Sequence, residues 1–205
     1  MENCADRAMR SGEREVGSGS PIRSFICVSI PSQVRHSVAD VQQELRAVCR
    51  DVKWVRPESM HITLKFLGDV EQDRIQALKL SLERAVSSSS PFLMSLDGLG
   101  RFPKSGRARV IWAGIRQGAV ILKTLAQSVD EACVSLGFER EKRPFSPHLT
   151  LGRVRRGALI DAERCLQNND FTSGSFEVRE MQLMKSDLLP SGARYTVIHS
   201  IKFKG

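Results

Sequence analysis

Two histidines, His61 and His148, sit in the same six-residue phrase: Ser59-Met60-His61-Ile62-Thr63-Leu64 returns as Ser146-Pro147-His148-Leu149-Thr150-Leu151. The repeated unit is His-x-Thr-x, and it holds two of the four histidines of the 205-residue chain. Alternate side chains of a strand share a face, so His61 and Thr63 lie together about 6.6 Å apart along the chain, with Ile62 and Leu64 opposite. His148 with Thr150, and Leu149 with Leu151, repeat the arrangement. Two such strands side by side present two imidazoles and two hydroxyls to one groove. An imidazole with an unperturbed pKa of about 6.5 acts as acid or base near neutral pH, so one ring can protonate a leaving oxygen while the other deprotonates the nucleophile at phosphorus. The threonine hydroxyls would hydrogen-bond the non-bridging phosphate oxygens and hold phosphorus in line. Zinc is the competing reading, but two histidines without a third His or Cys at ligand spacing fall short of a site. No metal and no cofactor is expected.

The elements that must place these residues can be read from periodicity. Phe25 to Ile30 is a short apolar run closed by Pro31, as in a buried strand. From Ser32 to Cys49, Val34, Val38, Val41, Leu45 and Val48 fall at helical spacing. His61 to Phe66 alternates as a strand, stopped by Gly68-Asp69. Asp69 is then the expected N-cap of a helix over about Glu71 to Val86, with Ile75, Leu78, Leu82 and Val86 on its stripe. Phe92 to Leu96 and Val110 to Ile115 read as strands around a basic loop, Gly100 to Arg109. Val120 to Leu136 is a third helix with Gly137 just beyond it. Phe145 to Val154 is the second motif strand, Leu159 to Gln167 a short helix, and Ser175 to Ser186 and Arg194 to Phe203 the closing strands. The order βαβαββαβαββ is close to one βαβ-containing unit used twice. It predicts an α+β fold of two pseudo-symmetric lobes, each an antiparallel-rich sheet with outer helices, around a central groove.

The other histidines do not repeat the motif: His36 is expected on a solvated helix face, and His199, on the parity of Tyr195, Val197 and Ile201, packed or hydrogen-bonded. Residues 1–22 are polar and aperiodic and are expected to be a disordered extension, leaving 23–205 as one folded domain. At 41% apolar and 26% charged residues the chain has an ordinary globular profile, and no apolar run reaches the roughly 20 residues of a membrane span. With no secretory h-region at the start, a cytoplasmic location is expected; the chain is expected to be a monomer. The five cysteines, Cys4, Cys27, Cys49, Cys133 and Cys165, include no C-x-x-C pair and read as free thiols filling the core. A net charge of +8 and a pI near 9.6 suit a polyanionic partner.

With these blocks in place, the sequence resembles the 2H phosphoesterase superfamily, named for paired His-x-Thr/Ser-x motifs, and within it the RNA 2′,3′-cyclic phosphodiesterases once described as 2′-5′ RNA ligases. The likeness runs over residues 23–205. It is carried by Arg23 to Pro31, Trp54-Val55, His61 to Val70, Gly100 to Pro103, Arg109 to Gly114, Phe145 to Arg153, Ser186 to Leu188 and Gly192 to Tyr195. The resemblance implies hydrolysis of RNA 2′,3′-cyclic phosphate ends to 2′-phosphates, with His61 as proton donor to the leaving O3′ and His148 as acceptor from water. It implies phosphate binding by Thr63, Thr150 and Arg153. Lys65, on the parity of His61 if the strand is unbroken, and Arg101, Phe102 and Lys104 of the basic loop are candidates for holding the RNA strand. Alternatives within the fold are another cyclic phosphoesterase activity, such as on ADP-ribose 1″,2″-cyclic phosphate, or reversible 2′-5′ ligation. From another class comes a nucleotide- or RNA-binding module without chemistry, against which the two titratable groups count.

Overall fold

The structure is a computed structural model describing residues 20–167, 170–190 and 192–204. The expected N-terminal extension, save its last three residues, lies outside them, as does Cys4. Ten strands and four α-helices are present among the described residues, with one 3-10 turn at Pro57–Ser59: β1 (Ile22–Ser29), α1 (Ser32–Val48), β2 (Val52–Trp54), β3 (His61–Val70), α2 (Arg74–Ala85), β4 (Phe92–Met94), β5 (Leu96–Phe102), β6 (Val110–Ile115), α3 (Ala119–Val134), β7 (His148–Val154), α4 (Ala162–Leu166), β8 (Phe176–Val178), β9 (Glu180–Leu189) and β10 (Gly192–Lys202).

Two antiparallel four-stranded sheets carry the motifs, in the orders β10-β9-β1-β3 and β2-β7-β6-β5, with β4 and β8 as a separate pair. Each motif strand pairs with the strand one helix upstream, β3 with β1 and β7 with β6. The α+β class is as expected. The helices form where the apolar stripe is continuous: Val34, Val38 and Leu45 of α1, Ile75, Leu78 and Leu82 of α2, and Leu122, Leu125, Val129 and Cys133 of α3 are buried. One core joins all of these except Ile75 to Ile26, Ile62, Leu149 and Leu183 from the sheets. Gly137 takes φ +83°, the left-handed conformation expected of the residue past α3.

Several expectations are corrected. β3 continues to Val70, so Asp69 is a strand residue and α2 starts only at Arg74, with Asp73 at its N-cap position making no side-chain cap bond. β5 runs on through Phe102, taking the first third of the expected basic loop into the sheet. Val48 ends α1 half-exposed, off the stripe. The short strand β2 was not legible, because three residues are too few to show a period; it pairs along the outer edge of β7. Cys49 and Cys165 form a disulfide between the end of α1 and α4 across 116 residues of sequence. They are therefore not free thiols, and Cys27 and Cys133 are, both buried. Burial pushes each of those two thiols up to about 12.

Candidate active site

His61 opens β3 and His148 opens β7. Both rings line one cavity of about 340 Å³, together with Thr63, Thr150 and Arg153. The two halves of the repeated phrase therefore meet, and the first letter of that phrase has a structural part. His61 Nδ1–H donates to the Ser59 carbonyl at 2.8 Å, and His148 Nδ1–H donates to the Ser146 carbonyl at 2.7 Å. A carbonyl only accepts, so each neutral ring carries its proton on Nδ1 and keeps a bare Nε2 lone pair for chemistry. The same i−2 carbonyl fixes both tautomers.

Aromatic rings fix the orientations. Phe25 of β1 lies 4.7 Å from the His61 ring, and Tyr195 of β10 meets it edge-on at 5.1 Å. Phe102 meets the His148 ring edge-on at 5.0 Å, with Trp112 behind at 6.4 Å. Gly100 makes room for this packing, since a Cβ there would fall 2.2 Å from the Trp112 ring. Burial lowers the pKa of both histidines, and the positive charge of Arg153 lowers them further against the opposing pull of the serine carbonyls. His61 falls to about 4, and His148 moves in the same direction. Both rings are neutral in the free protein at pH 7.

A bulge in each motif strand decides which way the residues past the threonine point. Thr63 pairs with Cys27 and Lys65 with the adjacent Ile26, leaving Leu64 as the extra residue. Thr150 pairs with Trp112 and Gly152 with Ile111, leaving Leu151 extra at the same place in its motif. An extra residue inverts the alternation beyond it and re-aims the side chains. The residue five past each histidine, Phe66 in one strand and Arg153 in the other, therefore enters the cavity. Lys65 does not. It is turned away into the core, 3% exposed, where Nζ donates to Asp130 Oδ1 at 2.6 Å and to the Glu139 carbonyl at 2.8 Å. The expectation that Lys65 shares the groove face with His61 is corrected: it assumed an unbroken strand.

Two buried polar groups tie these strands down. Gln42 Nε2 of α1 donates to the carbonyl of the bulged Leu151 at 2.8 Å and to that of Val55 at 2.9 Å. Asp130 of α3 accepts from Lys65 Nζ, from the Glu141 amide at 3.1 Å and from Arg140 Nη1 at 3.4 Å. Burial alone would raise the Asp130 carboxyl, but these donors hold it below its ordinary value. The helix upstream of each motif strand thus holds the other motif strand. Gly152 is required where β2 crosses: a Cβ there would meet Val52 Cγ1 at 2.4 Å.

The amino-acid sequence matches the family described as LigT like Phosphoesterase over residues 28–112 and 116–195. The chain belongs to that family. Among its relatives, the RNA 2′,3′-cyclic phosphodiesterase of Archaeoglobus fulgidus is 36% identical over 174 residues, covering 85% of this chain and 96% of the relative. That of Methanothermobacter thermautotrophicus is 35% identical over 179 residues, covering 85% and 95%. Of solved structures, Escherichia coli LigT complexed with 3′-AMP superposes with a TM-score of 0.73 at 26% identity, covering 90% of this chain and 99% of that one. A Thermus thermophilus protein superposes with a TM-score of 0.76 at 27% identity, covering 90% and 99%.

In this LigT-like phosphoesterase the basic loop is folded on itself. Arg101 Nη1 donates to the Gly106 carbonyl at 2.6 Å and to that of Pro103 at 3.3 Å, Phe102 packs on His148, and Lys104 is exposed. His36 is exposed, and His199 Nε2 meets Glu83 Oε1 at 2.7 Å, so neither enters the site. A break in register at Ile198 of β10 puts Tyr195 in the cavity and His199 against α2, contrary to the shared parity expected of them. Sequence reasoning missed Phe25, Tyr195 and Trp112 as ring supports. Among the described residues, no group of three or more His, Cys, Asp or Glu is placed to hold a metal ion.

Proposed function

We propose that this LigT-like phosphoesterase hydrolyses RNA 2′,3′-cyclic phosphate ends to 2′-phosphate ends by two-histidine acid–base catalysis without a metal. The observation that carries the reading is the pair of histidine rings, their tautomers set by matched serine carbonyls, that line one cavity with two threonines and an arginine. In the reaction, water oxygen bonds to phosphorus while the P–O3′ bond breaks. His148 takes the proton from water, and His61 gives a proton to O3′. Thr63 and Thr150 donate to the non-bridging oxygens, and Arg153 adds a planar cationic fork for the phosphate. Exposed Lys104 offers a further charge to the strand. The names of the archaeal relatives and the 3′-AMP bound by LigT support a nucleotide substrate.

The free His61 is neutral at pH 7, so its donor role requires a proton taken up with the anionic substrate, whose charge favours imidazolium. Its low pKa, about 4, favours a second reading in which the roles are exchanged and His61 is the base. Both motifs come from one chain, which supports a monomer, and the RNA substrate fits action in the cytoplasm. Among the described residues no helix is long and apolar enough to cross a membrane. The test is the product: phosphorus NMR of a cyclic-ended oligonucleotide after turnover is expected to show the 2′-phosphate. A 3′-phosphate would overturn the assignment of the leaving oxygen.

A further inference from the structure

The site does not end at the catalytic cavity. A second groove of about 530 Å³ shares Phe66 and Gly68 with it and continues between the end of β3 and the segment 138–143 that follows α3. Its walls are held from the core. Lys65 Nζ binds the Glu139 carbonyl, Asp130 binds the Glu141 amide, and Arg74 lies 4.4 Å over the Phe138 ring while donating to the Leu136 carbonyl at 2.6 Å. The outer rim carries Arg140, Lys142 and Arg143 alternating with Glu139 and Glu141, all exposed. Arg140 leans on Asp130, whereas among the described residues no ion-pair partner is found for Lys142 or Arg143. A groove with anchored walls that shares Phe66 and Gly68 with the catalytic cavity, and whose Lys142 and Arg143 outnumber its one glutamate not held by Lys65, suits a single strand of nucleic acid, which is recognised through its backbone phosphates.

Resting on the cyclic-phosphate reading above, we infer that the nucleotides preceding the cyclic end run past Phe66 into this second groove, where Lys142 and Arg143 hold their phosphates. An oligonucleotide is then preferred over a mononucleotide. The catalytic cavity, near the lower end of small-ligand volumes, serves the terminal unit.

The experiment compares 2′,3′-cyclic AMP with cyclic-ended tetra- and octanucleotides, using the full chain and the double variant Lys142→Glu/Arg143→Glu. Wild type is expected to show kcat/KM about tenfold or more higher for the oligonucleotides, and the variant to lose that advantage while keeping its rate on the mononucleotide. The salt dependence of oligonucleotide KM should flatten by about 1.4 in log–log slope, the release expected from two single-strand phosphate contacts. Absence of a length preference in wild type, or equal slowing of both substrates in the variant, would overturn the inference. If wild type turns over neither substrate, the catalytic reading fails by itself. Anisotropy of a labelled 2′-phosphate-ended octanucleotide, wild type against variant, then decides the groove. Equal binding by both proteins rejects it and leaves the groove to an acidic protein partner.

Discussion

Burial and, to a smaller extent, Arg153 give this site a pH dependence whose direction can be worked out. Catalysis needs one histidine protonated and the other neutral, so the pair behaves as one system with two apparent pKa values. Below both the base is lost, and above both the acid is lost. In the free protein burial and Arg153 lower both values, and with His61 at about 4 only about one molecule in a thousand carries that proton at pH 7. The kcat/KM profile, which reports the free enzyme, should therefore peak below pH 6.5 and decline about tenfold per unit above it. In the complex, substrate phosphate favours the imidazolium, so kcat should hold to higher pH. Arg153→Ala removes a cation that lowers both values, so both limbs of kcat/KM should move to higher pH while KM rises. Arg153→Lys keeps the charge and should keep the wild-type limbs. The assay is initial rates on a cyclic-ended oligonucleotide at constant ionic strength across about pH 4.5 to 9. A kcat/KM that is flat or rising from 6.5 to 8.5, or limbs unmoved in Arg153→Ala, would refute this account of the electrostatics.

Thr63→Val and Thr150→Val keep shape but remove the hydroxyl, and each should lower kcat by about 10²-fold with circular dichroism unchanged, if the hydroxyls stabilise the transition state. Lys65→Met leaves Asp130 buried without its closest partner and should cost about 3–5 kcal/mol. Differential scanning calorimetry should show a fall of roughly 6–20 °C in Tm, with Lys65→Met/Asp130→Leu recovering most of it. Cys49→Ser/Cys165→Ser releases a 116-residue closure and should cost about 2–5 kcal/mol, and a reductant should lower wild-type Tm similarly. Non-reduced tryptic mapping should find the two cysteine peptides linked; finding them unlinked would remove the disulfide.

The sequence made the chemistry legible because the repeat is local: six residues carry the histidine, the threonine and the apolar anchors of each motif strand. Helices α1 to α3 were legible for a similar reason, since stripes such as Leu122, Leu125, Val129 and Cys133 are set by burial along one element. What escaped depends on partners distant in sequence. The bulges at Leu64 and Leu151 exist only in register with β1 and β6, so parity placed Lys65 in the groove and gave no reason for Arg153 to enter it. Arg153 was found through resemblance, and the bulge supplies the physical cause. The Cys49–Cys165 link and the seat of β2 against Gly152 likewise arise from tertiary packing across more than 90 residues. The helix N-cap expected at Asp69 failed because cross-strand pairing with Arg23 holds that residue in β3.

The most direct measurement of the central claim is turnover of a 2′,3′-cyclic-ended oligonucleotide in excess EDTA by wild type, His61→Ala and His148→Ala. Undiminished wild-type turnover is expected, with each variant reduced by about 10²- to 10⁴-fold, the worth of one positioned acid or base. Loss of wild-type turnover in EDTA, or near-normal rates in either variant, would contradict it.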